Sequence, residues 1–390
     1  MPRISPFTGL LYAPSAGDPT AVTAPPYDAI SPAERLEYLA ASPNNVVRVE
    51  LPGEEPGDDD AANKHTRAAE TLAAWRAAGV LVQTDEPAVY PYEMEFELDG
   101  VHRKVRGVFA AIDLEPFGEG VLPHERVMPG PVEDRLRLIR TTRANVSPIY
   151  AVLPGPSDAQ RDLLDRAGAR PPDREAVDPS GVIHRLWVEP GIPDDLVKAY
   201  AEDSVMIADG HHRYTTALAY QEEMREAHGP GPWDATLMLL VDAAAEDPPV
   251  RPIHRVIRGG GGLVPTPGVP AGSLEETLEQ LADEHLRFGV VTREGSDVRF
   301  RIARLDGEPP TVAAIHEKIL SRYPELELTF VPDPAEAVRA VEQGADLAYL
   351  LPPTNAGRIR AVVERGERLP QKSTWFWPKP RTGMVIRPLD

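Results

Sequence analysis

The sequence predicts a mixed α/β (α+β) protein in two parts. Three observations carry this reading. Short apolar runs alternate with amphipathic stretches of helical period through both halves. A strict apolar–polar alternation marks a hairpin early in the chain. The run "RGGGGLVPTPGVPAG" separates the halves. The expected domains are residues 1–258, a Gly/Pro-rich linker at 259–272, and a second, smaller α/β domain at 273–390. A chain of 390 residues has room for two or three domains at about 150 residues each.

The elements follow in order. Ser31 can cap a helix, with Pro32 at its first position and Glu34 three residues after the cap. The stretch "LPGEEPGDDDAANKHTRAAETLAAWRAAGVL" opens acidic and exposed, then becomes an amphipathic helix carrying Ala69, Leu72, Ala73 and Arg76 and stopping at Gly79. Tyr92, Met94, Phe96 and Leu98 alternate with acids, and Asp99-Gly100 supplies a turn that needs positive φ. The return strand ends in the apolar run Val108 to Ile112. A basic helix is expected from about Pro131 to about Arg143, then a buried strand at 149–153, a polar segment at 155–180, and a strand at 182–188. Val205 to Ala208 read as a strand, Asp209-Gly210 as a turn, His211 to Ala227 as a helix ended by Gly229-Pro230, and "ATLMLLVDAA" as a buried strand. Strand, turn, helix, strand predicts a right-handed crossover with its turn at the carboxyl edge of the sheet. In the second part the pattern predicts strands at 298–304, 328–331 and 347–351. Helices are expected near 311–321, from Asp333-Pro334 to Gly344, and from Thr354 to Gly366, with two short strands in the tail.

Composition excludes several functions. The formal net charge is −20, which opposes binding to nucleic acid or anionic membranes. There is no cysteine, so disulfides, thiol nucleophiles, iron–sulfur clusters and thiolate zinc sites are absent. The N-terminus lacks a basic region followed by an apolar run, and no stretch approaches the roughly 18–20 apolar residues of a membrane span. The chain reads as cytoplasmic.

Chemistry concentrates in "VMIADGHHRYTTALAY", residues 205–220. A helix N-terminus has unpaired N–H groups and partial positive charge, and glycine lets a ligand approach the backbone. Arg213 can grip a phosphate with two hydrogen bonds, and Asp209 can cap the helix, coordinate a metal or hold a ribose hydroxyl. Together Asp209, Gly210, His211, His212 and Arg213 make a phosphate cradle. The alternative is a plain cap with solvated histidines. Zinc suits His211-His212 poorly, because adjacent helical residues diverge by about 100° and no His follows at i+4. "RGGGGLV" has no GK[ST] ending and reads as linker.

The stretches "APPYDAIS", "LPHE", "EDRLRLI", "NVSPIY", "ADGHHRYTTAL", "RPIHRVI", "LPPT" and "PQKSTWFWPK" resemble, in this order, the DUF1015 family over nearly the whole chain. The Asp-Gly-x-His-Arg turn is also similar to that of the ParB/sulfiredoxin-like superfamily, which implies such a core in the N-terminal domain. That superfamily includes CTP-hydrolysing ParB proteins, sulfiredoxins and free-serine kinases. The resemblance implies nucleotide or phosphate at Gly210, His211, His212 and Arg213. Sulfiredoxin chemistry needs a cysteine, which this chain lacks, and ParB-type work needs DNA, which its charge opposes. The kinase branch survives both tests. By resemblance, Glu125 of "LPHE" is the base, Asp209 the Mg²⁺ or ribose ligand, and Asp209 and His212 belong to the catalytic set. The cofactors implied are ATP, ADP or another nucleotide with Mg²⁺.

Other candidates have plainer alternatives. His124, Asp134 and Arg135 can bind substrate or orient Glu125, or be exposed charges. Asp28 in "PPYDAIS" is a second acid, a metal ligand or a turn residue. Lys372 and Ser373, with Thr374, place a cation next to hydroxyls and suit phosphate, or are a chance Lys-Ser pairing in the sequence. Trp375 and Trp377 flank Phe376, a pattern that suits a half-buried strand better than base stacking. His254-Arg255 either faces the same cleft or sits on an edge strand. The expected function is a nucleotide-dependent phosphotransferase for a small hydroxyl compound, with free serine the leading candidate by resemblance. The alternatives are a non-catalytic nucleotide-binding switch and a nucleotide hydrolase.

Overall fold

Asp99 and Gly100 both take positive φ, 53° and 74°, as a tight two-residue hairpin turn requires. The strands they join, Ala88–Leu98 and Val101–Asp113, pair antiparallel from Tyr90 opposite Phe109 to Leu98 opposite Val101. The protein is described here by a computed structural model covering residues 2–127, 129–153, 158–259, 266–282, 286–306 and 310–390. Its contacts divide the chain into two compact units: Met1–Pro123, Val127–Asp247 and Pro378–Asp390 in the first, His124–Arg126 and Pro248–Trp377 in the second. This differs from a linear division at 258. The strand His254–Arg258 belongs to the second unit, and the chain's last segment belongs to the first. Of the expected linker, 260–265 lie outside the described residues, and Gly268–Ala271 is a strand.

The first unit is built on a mixed ten-stranded sheet around that hairpin. Outward from Val101–Asp113 come Ala235–Asp242, Ile149–Leu153, Val205–Asp209 and Val121–Leu122. The expected crossover is corrected here. Val205–Asp209 is antiparallel to Ile149–Leu153, which is parallel to Ala235–Asp242. The helix His211–His228 therefore links two antiparallel strands, because an earlier strand has inserted between them. One core joins Val108, Ala110, Ile112, Ile149, Ile207, Met238 and Leu240 of the sheet to Leu163, Leu164, Leu196 and Tyr214 of helices. Each such aliphatic side chain contributes on the order of 2 kcal/mol by leaving water. The polar segment near 155–180 holds a helix, Asp158–Gly168, and a strand, Arg174–Val177. Near the N-terminus, Ser31 accepts from the Glu34 N–H, and Glu34 returns a bond to the Ser31 N–H, the capping box expected there.

The second unit holds a six-stranded sheet in the order Gly268–Ala271, Asp297–Arg304, Arg287–Glu294, Leu347–Leu350, His254–Arg258, Glu327–Val331. Every neighbouring pair is antiparallel, so this unit is α+β in character. Leu281, Ala337 and Val341 of its helices pack on Val256, Val291, Ala348 and Leu350 of its strands. His254–Arg258 lies inside this sheet, which corrects the edge-strand reading of His254-Arg255. No helix among the described residues is long and apolar enough to cross a membrane.

Candidate functional site

Gly210 begins the helix His211–His228 in the left-handed region, at φ 98° and ψ 29°, with no side-chain cap. Asp209 is the last residue of its strand rather than the helix cap. Its carboxylate faces two cations. Oδ2 accepts from Arg213 Nη2 at 2.5 Å, and Oδ1 accepts from Lys379 Nζ. A Cβ at position 210 would stand 3.0 Å from Arg213 Nε and 3.1 Å from its Cζ. Only glycine lets the guanidinium lie against the turn while holding that φ.

Arg213 is more than nine-tenths buried. Its Nη1 donates to the Pro148 carbonyl, and its buried Nε has no hydrogen-bond partner. The guanidinium is thus a fixed charge beneath the turn and not the open two-armed phosphate clamp that the sequence suggests. Burial opposes that charge. Asp209, Asp28, Tyr27 and Glu50 outweigh burial and raise the Arg213 pKa above its ordinary value. The first bond of the helix ladder runs from Tyr214 N to Gly210 O at 2.9 Å. The N–H groups of His211, His212 and Arg213 precede that ladder. His211 is buried and His212 half-buried.

A charged cluster supports the turn from within the first unit. Glu50 is 2% exposed; it accepts from Ser147 Oγ at 2.7 Å and stands 3.8 Å from Arg135 Nη1. Burial raises the Glu50 pKa against the pull of Arg135, Ser147 and Arg213. Arg135 donates to the Glu50 carbonyl at 2.6 Å and lies over the Tyr27 ring, 4.4 Å from its centroid. Asp134 accepts from Arg135 Nη2 at 2.5 Å, Lys64 Nζ at 2.9 Å and His65 Nε2 at 3.0 Å. Burial opposes the Asp134 charge, yet the Arg135 charge and the hydrogen bonds from Arg135, Lys64 and His65 hold its carboxyl far below the usual range. Asp134 and Arg135 are therefore structural partners in a cluster, not a solvated pair. A cavity of about 50 Å³ borders Glu50, Arg135, Ser147 and Arg213. Asp28 is exposed and makes no ion pair among the described residues, while its charge bears on Arg213 and Tyr27.

The second unit holds Glu125. Its Oε1 accepts from Ser373 N at 2.9 Å, Thr374 N at 3.1 Å and Thr374 Oγ1 at 3.0 Å. Its Oε2 accepts from Lys372 N at 3.1 Å. Four donors make this carboxylate a clamp on the segment 372–374, an anion nest of successive N–H groups. Lys372 within it has φ 54°, and its ammonium makes no ion pair among the described residues. Ser373 Oγ donates to the Pro370 carbonyl at 2.5 Å. His124 is fully buried, with Nε2 2.7 Å from Thr374 Oγ1, which corrects the alternative reading of it as an exposed charge. Arg255 holds the same segment by its carbonyls. Its Nη1 donates to Lys372 O at 2.8 Å, and its Nε points at His316 Nε2, 3.0 Å away. Burial lowers the Arg255 pKa to about 10, and burial followed by the Arg255 charge lowers His254 and His316 to about 4.

Sequence reasoning missed Lys379, Glu50 and Tyr27. Lys379 carried a signal, since "WPKP" fixes the backbone on both sides of a lone cation. Glu50, in "VVRVELPG", carried none, because its role depends on a partner 85 residues away. No group of three or more His, Asp or Glu able to hold a metal occurs among the described residues. Asp209 commits both oxygens to cations, so its side chain does not fit a resident Mg²⁺.

Among solved structures the chain is similar to a free serine kinase in complex with AMP, at 16% identity and TM-score 0.38, covering 70% of this chain and 87% of that one. It is similar to a conserved hypothetical protein from Pyrococcus furiosus, at 14% identity and TM-score 0.36, covering 68% and 96%. A C-terminally truncated SbnI from Staphylococcus aureus stands at 13% identity and TM-score 0.36, covering 70% and 85%. No curated protein matches. Residues 4–318 match the profile described as protein of unknown function (DUF1015), and the chain belongs to that family.

Proposed function

We propose that the protein is a nucleotide-dependent phosphotransferase acting on a small hydroxyl metabolite, with free serine the leading candidate by resemblance of its Asp-Gly-His-His-Arg turn. The observation that supports this most is the left-handed Gly210 lying against a buried guanidinium at a helix start. Phosphate oxygens of ATP or ADP would meet the N–H groups of His211, His212 and Arg213, with His212 beside them. Arg213 and Lys379 would supply positive charge without leaving Asp209, which holds both in place. Lys372 and Ser373 offer a second anion nest in the other unit, taken up here by Glu125.

Glu125, the base that the resemblance implies, has both carboxylate oxygens engaged. Glu125 could accept a proton only after the segment 372–374 released one of its oxygens. Asp28 is exposed, makes no ion pair among the described residues and bears on the Arg213 charge, so it is a carboxylate available to the turn within the first unit. In the proposed step Asp28 takes the acceptor's hydroxyl proton as that oxygen bonds to the terminal phosphorus and the nucleoside diphosphate departs. No step is assigned to a metal held by Asp209.

The clamped state of Glu125 favours a second reading, a nucleotide-binding switch without turnover. Phosphorus NMR on the protein with ATP, with and without serine, separates the two. Phosphoserine formation that Asp28→Asn abolishes, with ATP binding retained, supports the transferase. Binding with no phosphorus product supports the switch. Phosphate release without an acceptor supports a hydrolase.

A further inference from the structure

The motif "LPPT", residues 351–354, has no part in the turn chemistry, yet it lines a partly open cavity of about 160 Å³ within the second unit. A cavity of about 150 Å³ is enough to take up benzene. Pro252, Pro352, Leu351, Ile359 and Val362 give it apolar walls.

The polar groups on its lining are one-sided. The chain as a whole carries −20, but no Asp or Glu lines this cavity, whereas Arg358 and Arg365 both do. Arg365 is paired with Glu367 at 3.2 Å. Arg358 makes no ion pair among the described residues, and Thr354, one helical turn before it, leaves its hydroxyl without a hydrogen bond among them. The other hydroxyls have partners: Thr311 accepts from Leu286 N, Ser373 donates to Pro370 O, and Thr374 Oγ1 lies 3.0 Å from Glu125. A guanidinium and a hydroxyl at the edge of an apolar, carboxylate-free cavity suit a ligand with a planar anionic head and a compact apolar body.

We infer that this cavity binds a small monocarboxylic acid, its ring or branched body among the prolines and its carboxylate on Arg358 and Thr354. The site lies wholly within the second unit and requires no nucleotide, so its test is independent of the phosphotransferase proposal.

The test is calorimetric titration of the full chain with benzoate and with benzyl alcohol, its uncharged counterpart. Wild-type protein should bind benzoate at least about tenfold more tightly than benzyl alcohol, the size of effect a charge-assisted pair provides. Arg358→Ala should remove that preference and leave benzyl alcohol binding unchanged. Ala361→Trp, at the exposed rim, should block both ligands while the thermal melt stays cooperative. Absence of benzoate binding to wild-type protein overturns the inference. So does a benzoate affinity that Arg358→Ala leaves intact, or one that Ala361→Trp leaves intact.

Discussion

At the scale of single residues, the two candidate turns differ. Gly210 sets a left-handed turn at a helix start against a buried guanidinium, whereas the nest at 372–374 is already closed by Glu125. Removing that clamp by Glu125→Ala should cost about 2–3 kcal/mol, since three N–H groups and a hydroxyl lose a charged acceptor. Urea denaturation followed by fluorescence of Trp375 and Trp377 measures it. An unchanged midpoint would show that the clamp contributes nothing. Lys372→Gly should act oppositely. A side chain at φ 54° is strained by about 1–2 kcal/mol, and glycine relieves part of that. A stabilised protein is expected, by about 1 kcal/mol in the same assay. The special residues of both turns were legible because they sit in short motifs. What they touch was not, since Arg213 reaches back 65 residues to Pro148 and Glu125 forward 249 to Thr374.

At the scale of elements, local rules served well where an element is decided by its own residues. The Asp99-Gly100 hairpin and the Ser31 capping box form as their sequences dictate. Strand order was not legible, because nothing in Val205–Asp209 specifies that Ile149–Leu153 will insert beside it. The same limit hid the antiparallel sheet of the second unit. Its strand His254–Arg258 carries a consequence for stability. His254 is 1% exposed, accepts from Leu351 N at 3.0 Å through Nδ1, and adjoins the Arg255 charge. Its folded pKa of about 4 lies below the ordinary histidine value near 6.5. The neutral ring therefore stabilises the fold fully above about pH 6.5. That contribution falls away as pH descends towards 4, by on the order of 3 kcal/mol in all. Urea midpoints for wild type and His254→Gln at pH 7.5 and pH 5 should converge at the lower pH. A constant gap would contradict the assignment.

At the scale of the whole molecule, an excess of 20 negative charges makes local cation placement the deciding factor for any anionic ligand. Duplex or single-stranded DNA should produce no mobility shift at physiological salt, since a polyanion meets the whole field. The nucleotide proposed as ligand is small enough to escape most of that field, and at the proposed turn Arg213 and Lys379 converge on Asp209. The most direct measurement is calorimetric titration of ATP into the wild type, Gly210→Ala and Lys379→Ala. Saturable one-to-one binding is expected for the wild type, abolished by Gly210→Ala and weakened about tenfold or more by Lys379→Ala. ATP affinity that survives Gly210→Ala unchanged, in a protein that still melts cooperatively, would contradict the account.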